Sequence, residues 1–485
     1  MKVTPERVVR LLGAWASGSG PLYERLARAL TGAIERRELA PGAVLPTERE
    51  LAAALAVSRT TVVGAYASLK AAGRLESRQG SGTWVAARDA APVPERAFSG
   101  ELYATLLGPA DEDLIELTAA CPPTTSLVRE VVAEMSPHEM ASVVEGSGYH
   151  PAGLPELRVR IAELVTAEGL LTAPDQIVVT SGAQQAIQLV TMLFGEPGQT
   201  VLMEELTYPG ALDIARGAGL RPVGARMDAD GVDPDAVEDL LERVRPRFIY
   251  LVATFHNPTG SALAERRGAR IADLAARYRV PVVEDRALRR LELDERPVPP
   301  PIASHGDGED VLVIGSLSKV LWAGLRVGWI RAARPLVERL MRMKILTDMG
   351  SAVPSQHIAT RLVPRLDEAV AERREFLRLR QATLGDALAR HLPDWEWEAP
   401  RGGCNLWVSL PDANARDFAQ VAQRQGVSVV PGQVLSAEGG HAGWLRLPFV
   451  HEPEVIEEAV RRMARAWSIY SEGGSRAARE PSLIV

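Results

Sequence analysis

Residues 311–329, VLVIGSLSKVLWAGLRVGW, hold the groups best suited to chemistry in this 485-residue chain. An apolar, β-type run ends at Ser316, Ser318 and Lys319 follow, and Arg326 stands seven residues after the lysine. An unpaired ammonium beside a buried strand is costly to desolvate. A lysine so placed either finds an anion or works with a lowered pKa as a nucleophilic amine. Two hydroxyls, one amine and one guanidinium in one loop would suit a phosphorylated aldehyde cofactor. Lys319 would be its Schiff-base lysine, with Ser316, Ser318 and Arg326 on the phosphate. The alternative is a surface Lys and Arg after an ordinary strand, and the rest of the chain decides between the two.

The elements around this stretch alternate β-type runs with helical patterns, which predicts an α/β body on a mainly parallel sheet. The strands are expected at 177–180, 200–204, 248–253, 280–285 and 311–316, with helices at 184–194, 209–218, 264–278 and 334–347. In such sheets ligands bind beyond the carboxyl ends of the strands, and those ends carry polar or special residues here. Ser181-Gly182-Ala183-Gln184 opens a helix, where backbone N–H groups and the helix dipole attract an anion. His256-Asn257-Pro258-Thr259-Gly260 is either a plain tight turn or a way to aim an Asn at a ligand. Glu284-Asp285 places a carboxylate at a buried strand end, where it needs a cationic or proton-bearing partner such as a protonated pyridine.

Together these positions resemble fold-type I pyridoxal-phosphate enzymes of the aspartate aminotransferase group, from about residue 114 to 469. The resemblance implies that Lys319 forms the internal aldimine and that Asp285 keeps the pyridine nitrogen protonated. It implies that Asn257 bonds the phenolic oxygen, Tyr208 stacks on the ring, and Ala183, Gln184, Ser316, Ser318 and Arg326 hold the phosphate. Tyr149 resembles the tyrosine that reaches the phosphate of the neighbouring subunit. Arg446, in WLRLPF, resembles the arginine that clamps a substrate carboxylate bidentately. One departure stands out. The family often has a tyrosine two residues after the pyridine aspartate, and here that residue is Ala287.

Charge separates a second region. Between residues 20 and 88 there are ten Lys/Arg and six Asp/Glu, against 45 and 56 elsewhere, which suggests a small basic module on an acidic body. Leu22, Leu26, Leu30 and Ile34 recur at helical spacing, and Pro41-Gly42 breaks that helix. Thr47 with Glu50 is a capping box for a second helix, and Ser58 opens a third with Val62, Tyr66 and Leu69 on one face. The polar, basic first turn of that third helix (Arg59, Thr60, Thr61) is how a recognition helix meets a major groove. Helical pattern alone equally allows a small bundle with routine surface arginines. Then LESRQGSGTWV reads as a two-strand wing. The matching residues LPTERELA, VSRTTV and RQGSGT resemble the winged helix-turn-helix of the GntR regulators over residues 21–85. That resemblance implies DNA contacts from Arg49, Ser58, Arg59, Thr60, Thr61, Arg78, Gly80 and Gly82.

The resulting division is an N-terminal helix in 1–19, the winged helix-turn-helix in 20–86, a linker in 87–113, the aminotransferase-like body in 114–470 with a smaller C-terminal domain, and a disordered tail in 471–485. Two distant cysteines without metal-ligand spacing suggest a reduced, cytoplasmic setting and no metal. No apolar run approaches the ~18 residues of a membrane span, and the N-terminus lacks a signal peptide's apolar core. A GntR reader on such a body is the composition of the MocR/GabR regulators. This implies a homodimer, head to tail, on a double-stranded DNA operator. The leading reading is a regulator sensing an amino acid or amine through pyridoxal phosphate on Lys319. The alternatives are an active aminotransferase carrying a DNA module, and a sensor of pyridoxal phosphate itself.

Overall fold

The computed structural model describes residues 3–12, 15, 21–35, 38–39, 42–78, 82–86, 113–306 and 308–477. The chain divides into two compact units, Met1–Glu95 and Arg96–Val485. The expected linker lies outside the described residues except for Asp113.

In the first unit, leucines at helical spacing bury one face of Leu22–Glu35 against the helix Arg59–Ala71. The Thr47 hydroxyl accepts the Glu50 N–H at 3.2 Å, and the Glu50 carboxylate accepts the Thr47 N–H at 2.8 Å. This closes the expected capping box at the start of Glu48–Leu55. Ala56, left-handed at φ 53, turns the chain toward Ser58, whose hydroxyl accepts the Thr61 N–H and caps Arg59–Ala71. Buried Tyr66 donates to the Pro46 carbonyl at 2.9 Å and pins this helix to the second one's approach. Strands Leu75–Arg78 and Gly82–Val85 form the antiparallel wing, joined by Val44–Leu45 into a three-stranded sheet. A short helix, Pro5–Leu12, precedes them.

The second unit is built on a seven-stranded sheet in the order 177–180, 328–331, 311–316, 282–285, 249–251, 200–204, 221–225. All neighbours are parallel except Gly328–Arg331, which runs antiparallel to both of its own. That strand was missed in the sequence because it follows the Lys319 loop after a short 3₁₀ turn, Ala323–Leu325, instead of a helix. Strands such as Val282–Asp285 are buried along their whole length, so they read as continuous apolar runs. Helices cover both faces and bury two apolar clusters. A smaller five-stranded sheet holds 396–397, 405–409, 444–448, 427–431 and 115–117. Its last member, Ile115–Leu117, pairs in parallel with Val427–Pro431 from the far end of the body's sequence.

The final helix runs Pro453–Ala477, so residues 471–477 are helical where a disordered tail was expected. The stacked pair Trp467 and Tyr470 anchors the preceding turn, and helix elongation adds one backbone bond per residue even past the packed face. Residues 478–485 lie outside the described residues. Among the described residues, no helix is long and apolar enough to cross a membrane.

Candidate functional site

The carboxyl ends of the large sheet open on a cavity of about 250 Å³. Its lining includes Ala183, Gln184, Tyr208, Asn257, Asp285, Ser316, Ser318, Lys319, Arg326 and Arg446, so one space collects every sequence-predicted body residue but Tyr149. Tyr149 is 62% exposed on its own chain and lies outside that lining.

Each residue arrives there for a local reason. Lys319 stands just past Leu317 and Ser318 after the strand Val311–Ser316, and its Nζ donates to the Ala120 carbonyl at 2.7 Å, 3.5 Å from Cys121 Sγ. The neighbouring strand Val282–Asp285 ends in Asp285, which is 5% exposed and accepts the Tyr250 hydroxyl at 2.7 Å and the Ala287 N–H at 2.9 Å. Burial holds the Asp285 carboxyl above its ordinary range, against the pull of those two donors. Gly182, at φ 92, precedes the helix Ala183–Phe194, and a Cβ there would meet the Arg326 guanidinium at 3.1 Å. Glycine therefore lets Arg326 approach the helix N-terminus, where it donates to the Ser181 carbonyl at 2.5 Å. Tyr208 donates to Gln184 at 2.9 Å. Arg446, 3% exposed on Trp444–Pro448, donates to the Thr118 carbonyl.

These residues fit a phosphorylated pyridine aldehyde. The Ser318 hydroxyl and the Asn257 amide oxygen, which can only accept, are buried without a protein partner beside the cavity, which asks for a ligand with both hydrogen-bond donors and acceptors. A helix N-terminus with an adjacent guanidinium suits a phosphate, and a buried carboxylate suits a cationic ring nitrogen.

Several contributors had weaker signals in the sequence. Tyr250 lies in an apolar strand, and a buried tyrosine hydroxyl needs a partner, so the residue type alone pointed to a polar group nearby. Glu204, also fully buried, accepts the Val252 N–H at 2.8 Å and is pushed up to about 8, chiefly by burial and to a lesser degree by Asp285. His256 is pulled down to about 4 by burial, so it is neutral, with ring nitrogens 3.0 Å from Thr259 Oγ1 and from the Leu206 carbonyl. Thr118 to Cys121, Cys404 and Asn405 complete the wall, and no periodicity marked them. Ala287, where a tyrosine is often found, faces the same cavity.

In the first unit, Arg49, Ser58, Arg59 and Thr60 are exposed and Thr61 is half-buried. The Ser58 hydroxyl also lies 2.8 Å from both Thr60 and Thr61 hydroxyls, so it organises the helix start as well as facing outward. Gly82 adopts φ 92 opposite Arg78 in the wing. Only the backbone of Arg78 is described, and Gly80 lies outside the described residues.

Residues 113–463 match the family model of aminotransferase class I and II, and residues 22–85 match that of the bacterial regulatory proteins of the gntR family. The chain is 31% identical to the uncharacterized HTH-type transcriptional regulator YdfD of Bacillus subtilis, over 89% of this chain and 93% of that one. It is 32% identical to the 2-aminoadipate transaminase of Thermus thermophilus, over 76% of this chain and 89% of the relative. Among solved structures it resembles LysN, the alpha-aminoadipate aminotransferase of Thermus thermophilus, in complex with N-(5'-phosphopyridoxyl)-L-leucine. The TM-score is 0.68 at 28% identity, over 83% of this chain and 97% of that chain.

Proposed function

Because this chain belongs to the aminotransferase class I and II family and carries a gntR-type DNA-binding module, the architecture of a transcriptional regulator, we propose that it senses an amino acid or other amine through pyridoxal phosphate held on Lys319. The family's cofactor is pyridoxal phosphate. The observation that carries the reading is the single cavity bringing Lys319, Asp285, Asn257, Arg326 and Arg446 together in a chain that also matches a DNA reader.

When bound, the cofactor supplies an electrophilic carbon that primary amines attack and a ring that withdraws electrons. Lys319 would be the amine that holds that carbon, the position for which an incoming amine would compete. Asp285, held by Tyr250 and the Ala287 N–H, keeps a proton on the ring nitrogen, and that positive charge favours its own ionised form. Asn257 would hold the phenolic oxygen and Tyr208 the ring face. Ser316, Ser318, Arg326 and the N–H groups at Ala183 and Gln184 would hold the phosphate. Arg446 takes a carboxylate of the effector in a two-point clamp that lysine forms poorly.

Sensing requires the effector to favour one conformer of the protein over another, since equal affinity for both moves nothing. Arg49, Ser58, Arg59, Thr60, Thr61 and the wing at Arg78, Gly80 and Gly82 are the residues we assign to the operator. The working form is a cytoplasmic homodimer, arranged head to tail, in which Tyr149 reaches the phosphate held by the other copy. Two readers then require paired half-sites.

The test follows cofactor absorbance and operator affinity of the full-length protein while amino acids and amines are added singly. One compound should shift the absorbance to a stable new position and change DNA affinity at the same concentration. Failure to take up pyridoxal phosphate, or an operator affinity that no compound alters while loading does, would overturn amine sensing. The latter result points to the cofactor itself as the signal. A second reading, an active aminotransferase with a DNA module, is favoured by the likeness to the Thermus thermophilus transaminase. Sustained release of an oxo-acid would support it.

A further inference from the structure

Behind the strand Val311–Ser316 lies a second, smaller cavity of about 30 Å³, walled also by Glu168, Arg286, Arg289, Arg290 and Trp329. Three of its lining side chains bring N–H donors that are buried without an acceptor: Nε of Arg286, Nε of Arg289 and Nε1 of Trp329. Arg286 is 5% exposed and Trp329 6%. Glycine at 315 is what lets the indole lie so close to the strand, because a Cβ there would come within 2.2 Å of the ring. Buried donors are nearly always satisfied, so three around one void call for an acceptor inside it.

Charge indicates the kind of acceptor. Three guanidinium groups line the cavity (Arg286, Arg289, Arg290) against one carboxylate, Glu168. Arg286 is balanced by Glu284 at 2.9 Å, and Arg290 by Glu168 at 3.0 Å and Asp367 at 3.1 Å. Arg289 is poorly balanced: its pairing with Glu292 is 4.0 Å long, and that carboxylate is held at 2.6 Å by Arg374. Burial lowers the Arg289 pKa, with Glu168 and Glu292 pulling the other way and Arg286 and Arg290 adding to the fall. One water molecule has two lone pairs for three donors; two would satisfy the donors but bring no negative charge to Arg289. The volume admits about one or two water-sized atoms and no polyatomic oxyanion.

We propose that this cavity holds a single halide ion, hydrogen-bonded by the Nε groups of Arg286 and Arg289 and by Nε1 of Trp329. The inference is independent of the function proposed above. Ala287 and Ser316 line both cavities, so the ion braces the inner wall of the larger one.

Two measurements test it on the full-length protein. Crystals grown with bromide in place of chloride should show an anomalous peak within hydrogen-bond reach of the three donors. In solution, the melting temperature should climb along a saturating curve as chloride replaces gluconate at fixed ionic strength. W329F removes one donor and should move the half-saturation point to about tenfold more chloride, the worth of one hydrogen bond. R289Q should shift it in the same direction, and serves alone if W329F does not fold. Density at the cavity with no anomalous signal, or stability that tracks ionic strength whatever the anion, would overturn the proposal.

Discussion

The DNA-binding module and the cofactor pocket are assembled from the chain in opposite ways. The side chains assigned to DNA come from one short run, Arg49 to Gly82, and those described there are mostly exposed. The pocket draws on residues from Thr118 to Arg446, delivered by the ends of separate strands, and several are buried and already engaged. Asp285 is tied to Tyr250, and Arg446 to the Thr118 carbonyl. Removing an exposed side chain costs its own contact with a ligand. Removing a buried one also leaves its partner unpaired, which costs more. The two regions should therefore respond to substitution on different scales and through different readouts.

The largest effect belongs to Lys319→Ala. The variant should lose the covalent cofactor and its absorbance band, and with them any response of DNA binding to amines. Its affinity for the operator in the absence of effector should stay close to wild type. A K319A protein that still answers to an amine would dissolve the assignment of the two roles to two regions. Arg446→Gln comes next. For an effector with a carboxylate, the concentration giving half-response should rise about 100-fold or more, the cost of losing one side of a buried charge pair. Simple amines should be unaffected, and an equal loss for both would show that Arg446 does not meet a carboxylate.

The contrast also explains what could be read without coordinates. Helix-turn-helix logic is local: the Thr47–Glu50 box, the Ser58 cap and the apolar face of Val62, Tyr66 and Leu69 lie within a few turns of one another. The pocket was legible where a strand end carried a chemically unusual residue, as at Lys319 and Asp285, and through the family resemblance for Tyr208 and Arg446. Ile115–Leu117 stayed hidden because three residues show no period and their partner is Val427–Pro431, far along the chain. The antiparallel Gly328–Arg331 was obscured by the short connection before it. Tyr250 and Glu204 sit inside apolar runs, so hydrophobic pattern counted them as core. Only the physical need of a buried hydroxyl or carboxyl for a partner sets them apart.

Buried acids give the body a pH dependence near neutrality, whereas none of the reader's described carboxylates is buried. Burial pushes Glu204 up to about 8 from an ordinary 4.5. An acid with a raised folded pKa holds its proton more tightly in the folded chain. Folding then bears no penalty from it below about pH 4.5, and stability is lost as pH rises from there to about 8. Glu204→Gln stays neutral throughout, so it should gain on the order of 3 kcal/mol over wild type between pH 5 and pH 8. Asp285, raised in the same direction, leaves part of the slope in place. Unfolding of the body measured across that range checks this, and parallel profiles for the two proteins would refute a buried, proton-holding Glu204.

The smallest effect lies on the reader. Arg59 is exposed at the first position of Arg59–Ala71, so Arg59→Ala removes a DNA contact and little else. Operator affinity should fall by about tenfold, within the range of a single contact to DNA. Salt then tells what Arg59 touches. A contact to phosphate releases counterions, and its loss should reduce the slope of log affinity against log salt by about one, on any sequence. A contact to a base edge should leave that slope nearly unchanged and relax the preference at one position of the operator. The cofactor band should be untouched in either case, because Arg59 contributes nothing to the pocket lining. An R59A protein with full affinity and an unchanged salt slope would mean that another face of the reader meets DNA. The local legibility of this module would then extend to its fold and stop short of its contacts.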